Sequence, residues 1–64
     1  MDGTKRENIK VGMNVRVVQK QDQRSGKRTE GIVLRILTNA ATHPHGIKVM
    51  LEGKIVGRVK EILD

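Results

Sequence analysis

From Ile9 to Ile62 the chain alternates apolar and polar residues in short runs, separated by stretches of polar and small residues. Ile9-Lys10-Val11-Gly12-Met13 brings spaced apolar side chains up to a glycine, as in a segment that lays a few residues on a core and turns into a strand. Asn14 to Lys20 is predicted to be that strand, with Val15 and Val17 on one face and Arg16, Val18 and Lys20 on the other, the period-2 pattern of a half-buried sheet. Glu30 to Leu37 is the longest predicted strand. Its Ile32, Leu34 and Ile36 share the inner face, and Val33, Arg35 and Leu37 the outer one. Apolar residues on both faces point to a central strand that is partly covered on its second side or bends across a barrel, and Gly31 suits a bulge or corner. Ile47, Val49 and Leu51 alternate with Lys48, Met50 and Glu52 in a third strand. After the turn Glu52-Gly53-Lys54, a loop of odd length sets Ile55, Gly57 and Val59 on the face of Leu51, Val49 and Ile47. That register buries more carbon and no charge than the even one does. Gly57 then marks a thin spot where the strand bends or another backbone comes close. Glu61 to Asp64 reads as a last short strand or 3₁₀ turn, with Ile62 closing the bottom of the core.

The breaks carry their own signals. Met1 to Asn8 is polar and of mixed charge, which predicts a flexible lead-in, residues 1–8, before one domain of residues 9–64. Gln21 to Arg28 has no apolar residue and contains Ser25-Gly26, so it is expected to be an exposed, mobile loop. It lies in the most basic part of the chain: five cations from Arg16 to Arg28 against Asp22 alone. Ser25-Gly26-Lys27 resembles a fragment of a phosphate-binding loop, but the full Walker spacing is missing and no nucleotide hydrolysis follows from it. Thr38 to Gly46 is too long for a tight hairpin. Pro44 biases His43 toward an extended conformation, and Gly46 can supply the positive φ needed to re-enter the sheet.

Strands at near-regular spacing, with a basic loop after the first, predict an all-β fold: a small SH3-like, partly open barrel of about five short strands. At 64 residues such a domain has room for one small core, built without any Phe, Tyr or Trp from six Ile, eight Val, four Leu and the Met residues. With no Cys there is neither a disulfide nor a Cys-based zinc site, which fits a cytoplasmic location. No apolar run has the length of a membrane span, and the N-terminal stretch lacks the apolar region of a signal peptide.

The run Ile9 to Val15, followed later by Gly31-Ile32-Val33, looks like the KOW-type barrels of ribosomal and transcription-elongation proteins. A closer resemblance, covering about Ile9 to Ile62, is to the YwbE-like family of small proteins. Its marks here are Arg28-Thr29-Glu30-Gly31, Ile36-Leu37-Thr38, the block His43-Pro44-His45-Gly46-Ile47-Lys48-Val49, and Gly57-Arg58-Val59-Lys60. The resemblance implies no assigned activity and no catalytic residues. Met50 stands where it leads one to expect a basic residue, which makes that outer strand a weaker binding face.

Thirteen Lys and Arg against seven Asp and Glu give a net charge of +6, a potential that attracts polyanions. The function expected from this is an accessory module for nucleic acid, with structured or ribosomal RNA favoured over DNA, or for a ribosome-associated assembly, bound through phosphates and shape. The candidate contacts are Arg16, Lys20, Arg24, Lys27, Arg28, Arg35, His43, His45 and Lys48, forming one stripe if the second and third strands neighbour the first. Without aromatic residues there is no platform for stacking unpaired bases, so a duplex or folded RNA fits better than a single strand. His43 and His45 are the only rings besides Pro44, and holding the loop by hydrogen bonds is the competing role for them. Two ligands at i and i+2 leave a metal's coordination unfilled unless Glu52 or a second chain contributes, and no base or nucleophile is tied to either His by spacing. Neither a cofactor, a metal nor an enzymatic activity is expected, and a monomer is. The alternative is a protein-interaction module using an exposed strand edge or an outer apolar patch of Val18, Val33, Leu37 and Met50.

Overall fold

The described residues of the chain in the computed structural model are 3–63. Among them are four strands: β1 (Asn14–Val18), β2 (Thr29–Ile36), β3 (Lys48–Leu51) and β4 (Ile55–Ile62). Each is antiparallel to its neighbours in the order β1-β2-β3-β4, and β4 returns to pair with β1, so the sheet closes into a barrel. This corrects two expectations within a small all-β barrel of SH3-like kind. The barrel is closed because the β1–β4 pairing joins Val15 to Ile62 and Val18 to Arg58. The strands number four because Glu61 and Ile62, expected as a separate piece, continue β4; the end of that expected piece, Asp64, lies outside the described residues. No helix among the described residues is long and apolar enough to cross a membrane.

The core is what the alternation predicts for three of the strands. Val15, Val17, Val49, Leu51, Ile47 and Val59 are fully or almost fully buried, with Ile9 beside them, and among the described residues no charged or polar residue is buried. Each such side chain contributes about 1.5–3 kcal/mol by leaving water. The odd register after Glu52-Gly53-Lys54 is present: Leu51 pairs with Ile55 and Val49 with Gly57. Gly57 is indeed a point of close approach, since a Cβ there would come within 2.8 Å of both Val18 O and the Val17 side chain.

β2, expected to be the longest strand but equalled by β4 at eight residues, differs from its predicted faces. Val33 is 0% exposed and Leu34 46% exposed. The cause is a register shift: Val33 pairs with Leu51, but Arg35 pairs with Met50, so Leu34 is an extra residue that flips the phase of the strand. Val33 before it and Ile36 after it both reach the core. The proposed outer apolar patch dissolves with this, because Val33 is core and Val18 is only 7% exposed. A second shift lies in β4, where Arg16 faces Glu61 and Val17 faces Val59, leaving Lys60 as the extra residue.

The segment expected as a flexible lead-in is tied down from Gly3 onward, while Met1 and Asp2 lie outside the described residues. Ile47 N donates to Gly3 O (2.9 Å), His43 N to Thr4 O (2.9 Å) and Arg6 N to Ala41 O (2.8 Å). Lys5 bridges to Thr42, and a 3₁₀ turn follows at Arg6–Asn8. These bonds run through backbone groups, so polar side-chain composition does not forecast them. The basic loop is also folded: a 3₁₀ turn at Lys20–Asp22 is followed by a hydrogen bond from Gly26 N to Asp22 O (2.8 Å), and its cations stay exposed.

Candidate nucleic-acid interface

The His-Pro-His-Gly block is a turn pinned against β4. Gly46 N donates to His43 O (3.0 Å), and His45 N donates to His43 Nδ1 (3.2 Å). Accepting that bond requires an unprotonated Nδ1, so the turn favours neutral His43 with its proton on Nε2. The His43 pKa is lowered below its ordinary 6.5, through partial desolvation first, then the nearby Arg58 charge, then His45. The two rings lie 5.8 Å apart between centroids, tilted by 49°. Gly46 sits at φ +101° with its α-carbon against β4, where an added Cβ would be 2.4 Å from Val59 O.

Two cations of β4 hold this turn from the side. Arg58 Nη1 donates to Gly46 O (3.1 Å) and Lys60 Nζ to His45 O (2.8 Å). Lys60 reaches His45 from the extra position in β4, where a bulge re-aims a side chain. Each cation uses one donor here and keeps others for a ligand.

The strand registers sort the outer surface into rows. Lys48 of β3 lies opposite Arg58 of β4, which lies opposite Val18 of β1. Glu30 of β2, Arg16 of β1 and Glu61 of β4 form a second row, and Arg35, Met50 and Val56 a third. The second row is internally neutralised: Arg16 pairs with Glu30 (3.6 Å) and with Glu61 (3.3 Å), and Arg28 also bonds Glu61. The first row is not. Like charges directly opposite on neighbouring strands are unfavourable, and Lys48 and Arg58 hold that arrangement with no carboxylate paired to either among the described residues.

Around the first row are two adjoining open concavities. One, of about 680 Å³, is lined by Arg28, His43, His45, Arg58 and Lys60 among others. Lys20, Lys48 and Arg58 line the second, of about 550 Å³. Val18, Gln23 and Arg58 belong to both, and neither is lined by a carboxylate among the described residues. Of the residues singled out from sequence, the structure thus brings together Lys20, Arg28, His43, His45 and Lys48. Arg24 and Lys27 are exposed on the loop beside them. Arg16 lies in the neutralised row and Arg35 in the third row, because β1 neighbours β2 and β4 but not β3.

Arg58 and Lys60 are the central residues that sequence reasoning missed. A signal for Arg58 existed: with Gly57 and Val59 inward, Arg58 has to point outward, and the odd register sets it across from Lys48. Placing Lys60 needed the bulge.

A small closed barrel with one uncompensated basic face, built around a pinned histidine turn, is the class of protein these features define. The chain belongs to the family described as "Uncharacterized conserved protein (DUF2196)", whose profile matches residues 2–62. It is 48% identical over 63 residues to "Uncharacterized protein YwbE" of Bacillus subtilis (strain 168), an alignment that covers 98% of this chain and 97% of the relative. The YwbE-like resemblance carried by the His-Pro-His-Gly block is thereby borne out. No solved structure matches the chain.

Proposed function

We propose that the protein is an RNA-binding accessory module of the cytoplasm whose interface is the face running from Lys20 through Lys48 and Arg58 to Lys60. The observation that carries this reading is the Lys48–Arg58 pair and the absence, among the described residues, of any lining carboxylate in the two concavities beside it. On the neighbouring row Glu30 and Glu61 are both engaged by arginines. Here cations are clustered against their mutual repulsion, which a bound polyanion relieves. No aromatic side chain is present for stacking, so the reading is of phosphate contacts on a structured RNA with little reading of bases. The rival reading by an exposed strand edge has less to stand on, since every strand of the closed barrel is paired on both sides.

Fluorescence anisotropy with a labelled RNA hairpin, over a range of salt, tests this. Four or five phosphates neutralised give a slope of log affinity against log salt of about −3 to −4.5. Lys48→Gln should flatten that slope by about one contact, whereas Arg35→Gln should leave it alone. A slope near zero, or equal effects of the two substitutions, overturns the reading.

A further inference from the structure

The two concavities differ in a way that separates their roles. The second is bordered by Lys48 and Arg58 on neighbouring strands and by Lys20 of the 3₁₀ turn. The first gathers two cations with no carboxylate partner among the described residues, Arg58 and Lys60, with Arg28, which is paired with Glu61, and two imidazoles around one space. Both β4 cations are fixed at its rim by the carbonyls of His45 and Gly46 rather than left to swing in solvent.

That is more positive charge than one internal phosphodiester, with its single negative charge, neutralises. A phosphomonoester carries about −1.5 to −2 at neutral pH and offers three acceptor oxygens. We propose that the His-Pro-His-Gly end of the face is a subsite for a terminal phosphate, the phosphomonoester at the end of an RNA strand. The inference rests on the RNA reading above and names the group that the first concavity takes. Continuity argues for a strand end over a free nucleotide: Arg58 borders both concavities, so a chain whose terminal phosphate fills the first lays its next phosphates beside Lys48 and Lys20 in the second.

His43 gives the site a proton-linked signature. The charged and titratable groups that share its concavity are Arg58 and Lys60 of β4, Arg28, which also bonds the Glu61 carboxylate, and His45, with the backbone of Lys5 bridged to Thr42 next to it. Partial desolvation, the Arg58 charge and His45 favour the neutral ring and lower its pKa. A dianion among these groups reverses the balance and raises the His43 pKa, so a phosphomonoester binds with proton uptake on that ring.

The test uses the full chain and one RNA hairpin in three forms: 5′-phosphorylated, 3′-phosphorylated, and hydroxyl at both ends. Adenosine monophosphate and inorganic phosphate are measured alone. At near-physiological salt one phosphorylated form should bind about tenfold tighter than the hydroxyl form, as expected of one added charge-assisted contact. Lys60→Met should narrow that gap, weakening the phosphorylated hairpin several-fold more than the hydroxyl one. On the unaltered protein, NMR titration of the His43 ring should give a higher pKa with the phosphorylated hairpin than with the hydroxyl one. Equal affinity for all three hairpins, with a steep salt slope, overturns the terminal-phosphate site and leaves the RNA face standing. No binding to any hairpin at that salt overturns both. Mononucleotide binding as tight as that of the phosphorylated hairpin overturns the strand-end assignment. An unchanged His43 pKa overturns the site whatever the variant does.

Discussion

Gly46→Ala is the substitution whose cost the structure specifies best, because it can be set against a matched control. Gly46 and Gly53 both have positive φ, +101° and +86°. An alanine at either position therefore accepts backbone strain of about 1–2 kcal/mol. The surroundings differ: nothing lies within 4 Å of an added Cβ at Gly53, whereas at Gly46 it would sit 2.4 Å from Val59 O, a backbone atom of β4. Relieving that contact moves the turn off β4 and strains the bonds on either side of it, Val59 N to Ile47 O (2.9 Å) and Arg58 to Gly46 O (3.1 Å). Each bond lost or stretched adds about 1 kcal/mol. The expected loss is then about 3–4 kcal/mol for Gly46→Ala and about 1–2 kcal/mol for Gly53→Ala. At about 4–8 °C per kcal/mol for a domain this size, the two melting temperatures should differ by at least about 8 °C. Urea and thermal unfolding of the two variants beside the parent chain decide it. Equal losses would refute the claim that the turn is seated by contact with β4 rather than by its own backbone conformation.

Other consequences can be checked in the same preparations. Val33→Ala should cost about 2 kcal/mol in urea unfolding and Leu34→Ala less than about 0.5 kcal/mol, the reverse of what simple alternation in β2 predicts. Glu61→Gln removes the shared partner of Arg16 and Arg28, yet with their side chains 36–47% exposed it should cost under about 1 kcal/mol; RNA affinity should rise at low salt, and the gain should fade as salt is added. Because the His43 pKa is lowered in the folded chain, the unfolded state holds more protons below pH 6.5. The contribution of His43 to stability is therefore fully present above that pH and lost as pH falls through its folded pKa. Thermal melts from pH 7.5 to 5.5 should show a decline that His43→Asn flattens, and identical pH profiles would count against the assignment.

Strand pairing was most legible where one face is wholly apolar. Ile47, Val49 and Leu51 leave a single register that buries carbon without charge, so the β3–β4 hairpin follows from the pattern. The inner face of β2 was hidden because Leu34 is an inserted residue of the same apolar kind as Ile32 and Val33 before it, and a strand apolar on both faces masks a bulge. Arg58 opposite Lys48 follows from the odd register of the β3–β4 hairpin. Lys60 was hidden for a different reason: its position depends on β4 closing against β1 and on the phase change there. The N-terminal segment was misjudged from side chains because backbone groups of Gly3 and Thr4 make its attachments. The His-Pro-His-Gly block stood out from sequence as a motif, and the carbonyls that seat Arg58 and Lys60 gave it a physical role.

The central claim is that one face binds RNA, and an amide-resolved NMR titration with a structured RNA at near-physiological salt, with heparin as a plain polyanion, tests it most directly. The account predicts shifts at Lys20, at His43 to Lys48 and at Arg58 to Lys60, little change at Arg35 and Met50, and a pattern distinct from that of heparin. Shifts centred on the row of Arg35, Met50 and Val56, or a heparin pattern identical to that of the RNA, would contradict it.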